Sequence, residues 1–264
     1  MLMMPFHYSN SNDRGVSESI GFMLIFGIVI AGIALVTLYG YPLLLQQQVG
    51  ADEKIMEKNM IVLQNDVKSL AYKTVPFKET SLKIGGGSLT VYNSSSDDST
   101  FTIKDSAGNL FADPFHPGEL RYESVSAQTD ISLQNGAVVI RPRIAQGSSM
   151  LAEPRWFYDG NTRTMVINLI NITSAGIMAK EGIGTVQMNL GETNYTYISP
   201  VIGNTVHVEF DFPHSDQDYS VAWDNYFNQT LGMDQETPGT PGKYQMSNVN
   251  TLVIKKYEVQ IKNI

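Results

Sequence analysis

The chain contains no cysteine. That excludes disulfides, thiolate zinc sites, iron–sulfur clusters and cysteine nucleophiles together, and it leaves the redox compartment unreadable. Charge is scarce as well. Asp, Glu, Lys and Arg make up 17% of residues, against about 25% in an average globular domain. Positive charge is the scarcer sign: 18 Lys and Arg stand against 26 Asp and Glu, a formal net charge of −8. Phosphate contacts need a basic face, and no Lys/Arg-rich run supplies one, so nucleic acid is not expected as a partner. Missing too are a nucleophile elbow, a zincin helix, a Walker motif and a dinucleotide fingerprint. Gly85-Gly86-Gly87 lacks the Gly-Lys-Ser/Thr of a phosphate loop and leads into a strand pattern. It is read as a connection between two short strands. The expectation is a chain that is not an enzyme, with no cofactor and no small-molecule substrate identified.

What the chain does have is length, 264 residues, enough for one large domain or two small ones. Its apolar residues are unevenly placed. Ile20 to Leu45 reads IGFMLIFGIVIAGIALVTLYGYPLLL, 26 residues without a charge. About 20 apolar residues span a bilayer core as a helix, so this run is long enough with some tilt. The residues ahead of it, MLMMPFHYSNSNDRG, are mostly polar and end on Arg14-Gly15. A secretory signal places its cleavage site after a shorter apolar core. Here the run is too long for such a core, and no small-residue site closes it. A cut would therefore fall before the helix and leave it in the mature protein.

The string RGVSESIGFMLIFGIVIAGIALV resembles the class III signal peptides of type IV pilin-like proteins, in particular archaeal pilins and flagellin-like pilins. In that family a short hydrophilic leader ends in a basic residue and Gly or Ala, and V-S-x-x-I-G opens a long aliphatic helix. The resemblance implies a leader ending at Arg14 and Gly15, removed by a prepilin-type signal peptidase. Val16 would be the new N-terminus, with Ser17, Ile20 and Gly21 matching the motif. It further implies that the retained helix meets membrane lipid and then the helices of other pilin-like subunits. In bacterial relatives a glutamate near the mature N-terminus neutralises the amine of a neighbouring subunit. Glu18 would be the third mature residue, where those relatives have the fifth. Its other reading is a headgroup-level carboxylate favoured by the helix dipole. The resemblance covers about thirty residues of this chain.

Arg14 before the span, with Asp52, Glu53 and Lys54 after it, points the leader to the cytoplasm and the C-terminal bulk outside. Gly27, Ala31 and Ala34 lie roughly on one side of the helix, where small residues allow close helix approach in lipid. Gly40-Tyr41-Pro42 should kink the helix or loosen one turn, because Pro42 has no amide donor. Beyond it, Met56, Met60, Leu63, Val67 and Leu70 form a stripe spaced four, three, four and three. The stripe is either an intersubunit coiled-coil seam or a face docked on the same chain. Pro76 should stop the helix.

From Phe77 the periodicity changes to two. SLTVY, STFTIKD, AVVIRP, TMVINLI, TVQMNL, YTYIS, TVHVEFDF and VIKKYEVQIK read as strands. Asn135-Gly136 signals a tight hairpin, and Asp159-Gly160 should turn RWFY onto TMVINLI. One helix is expected from an N-cap at Ser215-Asp216-Gln217-Asp218 to Gly232, burying Tyr219, Ala222, Trp223, Tyr226 and Phe227. The fold class is therefore α+β: a long N-terminal helix followed by a mainly antiparallel β-rich domain. The expected divisions are a leader over 1–15, a hydrophobic helix over 16–46, an amphipathic extension over 47–76 and an extracytoplasmic β-rich domain over 77–264.

On a strand, His207, Glu209 and Asp211 share one face, and Val208, Phe210 and Phe212 the other. Three such groups suit a metal, but a solvated outer face fits equally, and no second ligand-bearing segment pairs with them. No metal is expected. Between Glu181 and Glu236 lie nine acids and neither Lys nor Arg, an acidic surface or ordinary solvation. Four N-x-S/T sequons, at Asn93, Asn171, Asn194 and Asn228, become glycosylation acceptors if the domain is extracytoplasmic.

Overall fold

The computed structural model describes residues 12–73, 75–214 and 218–264, with side chains from Glu18 onward. His7 and most of the expected leader lie outside the described residues, as do Ser215, Asp216 and Gln217. The chain divides into two compact units, residues 1–50 and 51–264.

Residues 12–50 of the first unit are helical. α1 spans Asn12–Leu35, beginning ahead of Val16. A π-helical turn, Val36–Gly40, follows it, and α2 runs Tyr41–Lys73. The amide of Tyr41 donates to the carbonyl of Val36, five residues back. This is the loosened turn that Pro42 calls for. Its ring would strike the Leu38 carbonyl in a regular helix and it has no N–H to offer, so the backbone widens one turn ahead. The large apolar side chains from Ile20 to Leu45 are all exposed.

In the second unit the stripe on α2 docks in cis. Met56, Met60, Leu63, Val67 and Leu70 are fully buried, joined by Ala71. The helix ends at Lys73, shortly before Pro76. The strands follow as β1 (Phe77–Tyr92), β2 (Thr100–Lys104), β3 (Glu119–Ser124), β4 (Thr129–Gln134), β5 (Ala137–Pro142), β6 (Ser149–Ala152), β7 (Phe157–Asp159) and β8 (Thr164–Ser174). After them come β9 (Met178–Ile198), β10 (Thr205–Asp211), α3 (Ser220–Asn225), β11 (Asp234–Gln235), β12 (Lys243–Ser247) and β13 (Thr251–Asn263). Among the described residues the strands form a nine-stranded sheet, ordered β6-β5-β4-β3-β1-β9-β13-β8-β7, and a four-stranded sheet, β11-β12-β10-β2. All pairings are antiparallel except β13 with β8. The fold is α+β.

Period-two alternation splits the large sheet between two cores. On β8, Met165, Ile167 and Leu169 face one core, while Ile170 and Ile172 face the other. On β13, Leu252 and Ile254 join the first core, and Tyr257, Val259 and Ile261 the second. The second core is closed by α2. The first is closed by the small sheet and by α3, with Phe101, Trp156, Phe210, Trp223, Phe227 and Tyr244 in mutual ring contact. These layers explain why a long sheet carries apolar residues on both faces.

Three expectations are corrected. Gly85-Gly86-Gly87 does not join two strands; it lies inside β1, where the register against β9 shifts between Ile84 and Leu89. Gly86 takes φ +65°, and a side chain at Gly87 would collide with the Glu123 backbone of β3, so a bulge at this crowding requires glycine. TVQMNL and YTYIS are not separate strands. Gly191 lies within the 21-residue β9, because β1 pairs with its first half and β13 with its second. The late helix is shorter than expected. α3 starts at Ser220, whose amide is accepted by Asp218 Oδ1 at 2.9 Å. It passes into a π turn over Tyr226–Thr230 before Gly232 at φ +67°. The wider turn lets the neighbours Tyr226 and Phe227 both enter the core. All five aromatic-face residues expected to be buried are buried. ELRYES, TDISLQ and KYQMS are strands that the alternation did not single out.

Candidate functional site

The apolar helix presents an unbroken run of exposed apolar side chains. Phe22, Met23 and Val36 are about as exposed as solvated side chains, at 69, 72 and 67%. Contiguous apolar surface of this extent on a water-facing protein implies a second apolar phase. One helix near the N-terminus is long and apolar enough to cross a membrane. Arg14, Gly15 and Val16 lie on α1, and Glu18, on the same helix, is exposed.

The His207 face is a solvated sheet surface. His207 Nδ1 lies 2.6 Å from Glu236 Oε1. Glu209 accepts from Lys104 at 2.5 Å and faces Lys243 at 3.4 Å. Burial alone would raise the Glu209 carboxyl, but the two lysines together hold it below its ordinary value. Asp211 is exposed. Lysines from outside the acidic block thus neutralise part of it. Among the described residues no group of three His, Asp or Glu side chains is arranged to hold a metal. His116 and His214 instead contact the Ser99 carbonyl and Asp98.

The sequons differ in setting. Asn93 is half-buried; its Nδ2 donates to the Ser174 carbonyl at 2.7 Å and its Oδ1 accepts the Ser95 amide. Asn171 sits half-buried within β8, opposite Glu258. Asn194 on β9 and Asn228 on the π turn after α3 are exposed.

A buried ionic network was not anticipated. Glu119, Arg121 and Asp130 on β3 and β4 are nearly inaccessible. Arg121 and Ser132 both bond Glu119, and the Tyr219 hydroxyl reaches it at 3.3 Å. Arg141 and Arg143 contact Asp130 at 2.9 and 3.2 Å. The Arg121 guanidinium lies 4.3 Å from the Tyr92 ring centre. Burial raises the Asp130 carboxyl above its ordinary value even with these arginines beside it. Alternate charges in ELRYES were the available signal. They read as surface until the first core covers them.

A second feature lay outside the sequence reading. Two open clefts of about 820 and 690 Å³ share Tyr72, Arg155 and Phe157 as a common wall. Lys68 and Lys73 line the larger, and Lys255 and Tyr257 the smaller.

Together these observations define a protein with a membrane-length apolar helix ahead of an α+β domain. The chain belongs to a family of unknown function, DUF7289, whose model matches residues 14–262. No curated protein and no solved structure matches it.

Proposed function

We propose that the chain is a non-catalytic pilin-like subunit. In this reading the leader is removed after Gly15 by a prepilin-type peptidase. The apolar helix then holds the chain in the membrane, and residues 77–264 lie outside the cell. Assembly transfers the helix from lipid to a bundle formed with the helices of other subunits. Both environments are apolar, so the transfer relies on packing and on small residues such as Gly27, Ala31 and Ala34.

The observation that carries the proposal is the contrast along the helical segment. Apolar side chains from Ile20 to Leu45 have no protein cover, while the stripe of Met56, Met60, Leu63, Val67 and Leu70 is sealed in the core of the same chain. An uncovered surface of that kind needs lipid or helices from other copies.

Mass spectrometry of the protein recovered from membranes tests it. The expected N-terminal residue is Val16, and Gly15→Leu should leave residues 1–15 attached. An intact Met1 on the wild-type protein would sink the proposal. Electron microscopy of sheared surface fractions, with labelling of the C-terminal domain, is expected to show filaments. A processed chain that stays in the membrane and forms none would identify an anchored binding protein.

A further inference from the structure

Where α2 ends, the sheet it covers continues. Tyr72, in the last turn of the helix, meets Tyr257 edge-on with ring centres 5.6 Å apart. Beyond that contact the same face of β13 carries Lys255 and Val253, at two-residue spacing from Tyr257. Their partners on β9 are Tyr195 and Tyr197, 78 and 63% exposed. Phe157, opposite Val166, is 45% exposed at the edge. The uncovered end of the sheet is thus an aromatic platform, bordered by the two clefts that share Tyr72, Arg155 and Phe157.

The charges around it run against the balance of the chain. Lys54, Lys78, Lys83, Lys104 and Lys243 each have a carboxylate partner. Among the described residues Lys68, Lys73, Arg155 and Lys255 form no such pair; Lys58, Arg163, Lys180, Lys256 and Lys262 form none either, but the first four gather around the two clefts. Lys68 Nζ donates only to the Glu153 carbonyl at 3.1 Å, and the Glu153 carboxylate is engaged by Thr230 at 2.9 Å. Arg155 lies over the Tyr72 ring at 5.1 Å. Burial, and then the neighbouring Arg155, holds the Lys68 ammonium below its ordinary value against the opposing pull of the Glu153 carboxylate, which also lines the larger cleft. An anion entering the clefts would relieve that repulsion.

We infer that the clefts around Arg155 and the adjoining Tyr195–Tyr197 platform bind an anionic saccharide, a sugar chain bearing carboxylates. Charge complementarity selects the anion. The rings select the sugar, because a pyranose presents a face of C–H groups that packs flat on an aromatic ring, while its hydroxyls and carboxylate reach the rim. Asn65, Ser69 and Thr193 supply hydrogen-bonding side chains at that rim. The inference does not depend on polymerisation, since every residue in it belongs to the unit 51–264.

Titration calorimetry on the full chain in detergent tests it, with polygalacturonate oligomers as the probe. Their methyl esters keep the sugar and remove the charge. The ester is expected to bind about tenfold or more weakly, the scale of one lost charge-assisted contact. Arg155→Gln with Lys255→Gln should weaken the acid to the level of the ester, and Phe157→Ala should weaken both sugars. Lys180→Gln, outside the clefts, should change neither, and thermal melts should show every variant folded. Ester binding as tight as acid binding would overturn the inference, as would undiminished affinity in the double variant. So would tighter binding of polyglutamate or polyphosphate, which would identify an acidic peptide or plain anion site, and so would the absence of binding to any probe.

Discussion

Gln64 is a polar side chain on the apolar stripe of α2, four residues after Met60 and 1% exposed. Its Nε2 donates to the Gly136 carbonyl at 2.7 Å and the Glu153 carbonyl at 3.0 Å. The helix thereby holds the β4–β5 hairpin and the segment after β6. Gln64→Met keeps the length but strands the Gly136 carbonyl, while the Glu153 carbonyl keeps its bond from Lys68, so urea denaturation should show a loss of about 1–3 kcal/mol. Glu209 sets a pH dependence. Its folded carboxyl sits below the ordinary 4.5, so the unfolded chain takes up its proton more readily. The stability it contributes is complete above the unfolded value and is lost as pH falls through the folded one. Glu209→Gln should flatten the acid limb of the stability–pH curve below about pH 4.5. At this scale the sequence was partly legible. Alternation put His207 and Glu209 on an outer face and Phe210 inside, but it could not find Gln64, because a polar residue on an apolar stripe resembles its end.

For the elements, the stripe on α2 allows a direct comparison. Met60 is fully buried and Val62, two residues on, is 47% exposed. Met60→Ala should cost about 2–5 kcal/mol through the cavity it opens. Val62→Ala should stay within about 0.5 kcal/mol, and a coiled-coil seam between copies would make the first effect depend on concentration. Chemical denaturation at two protein concentrations checks both. At the π turn, Pro42→Ala returns a donor to the Leu38 carbonyl. The turn from Val36 to Gly40 should tighten to i→i+4 bonding, seen as a new, exchange-protected amide at residue 42. Local chemistry sufficed for this turn and for the Asn135-Gly136 hairpin, where Asn135 and Gly136 both take positive φ. It failed at Gly85–Gly87 and Gly191. A glycine in a strand reads as a break, and only the strands on either side turn it into a bulge.

At the scale of the whole molecule, the division near Gly50 separates two kinds of stability. The unit from Ala51 onward contains both cores, including the α2 residues that close the second. A chain of residues 51–264 should be water-soluble and melt cooperatively. One of residues 77–264 should not, since losing Met56, Met60, Leu63, Val67 and Leu70 uncovers Leu89, Tyr122 and Val259. Size-exclusion chromatography and circular dichroism melts distinguish the two. A folded 77–264 would show that α2 is dispensable to the sheet.

The sequence by itself determined whatever depends on one segment and its solvent: the apolar helix, the loosened turn at Pro42, the stripe and its period, and the β character of the C-terminal domain. Those follow from hydropathy, a missing amide and side-chain spacing, which are local quantities. The tertiary structure alone decided what the stripe covers, that ELRYES is an interior strand whose charges must pair, and that β9 runs unbroken past Gly191. It also decided that Lys68, Arg155 and Lys255 converge at the end of α2, from segments far apart in the chain. Each of these depends on which surfaces meet, and a strand with alternating charge looks the same in sequence whether water or another layer lies above it.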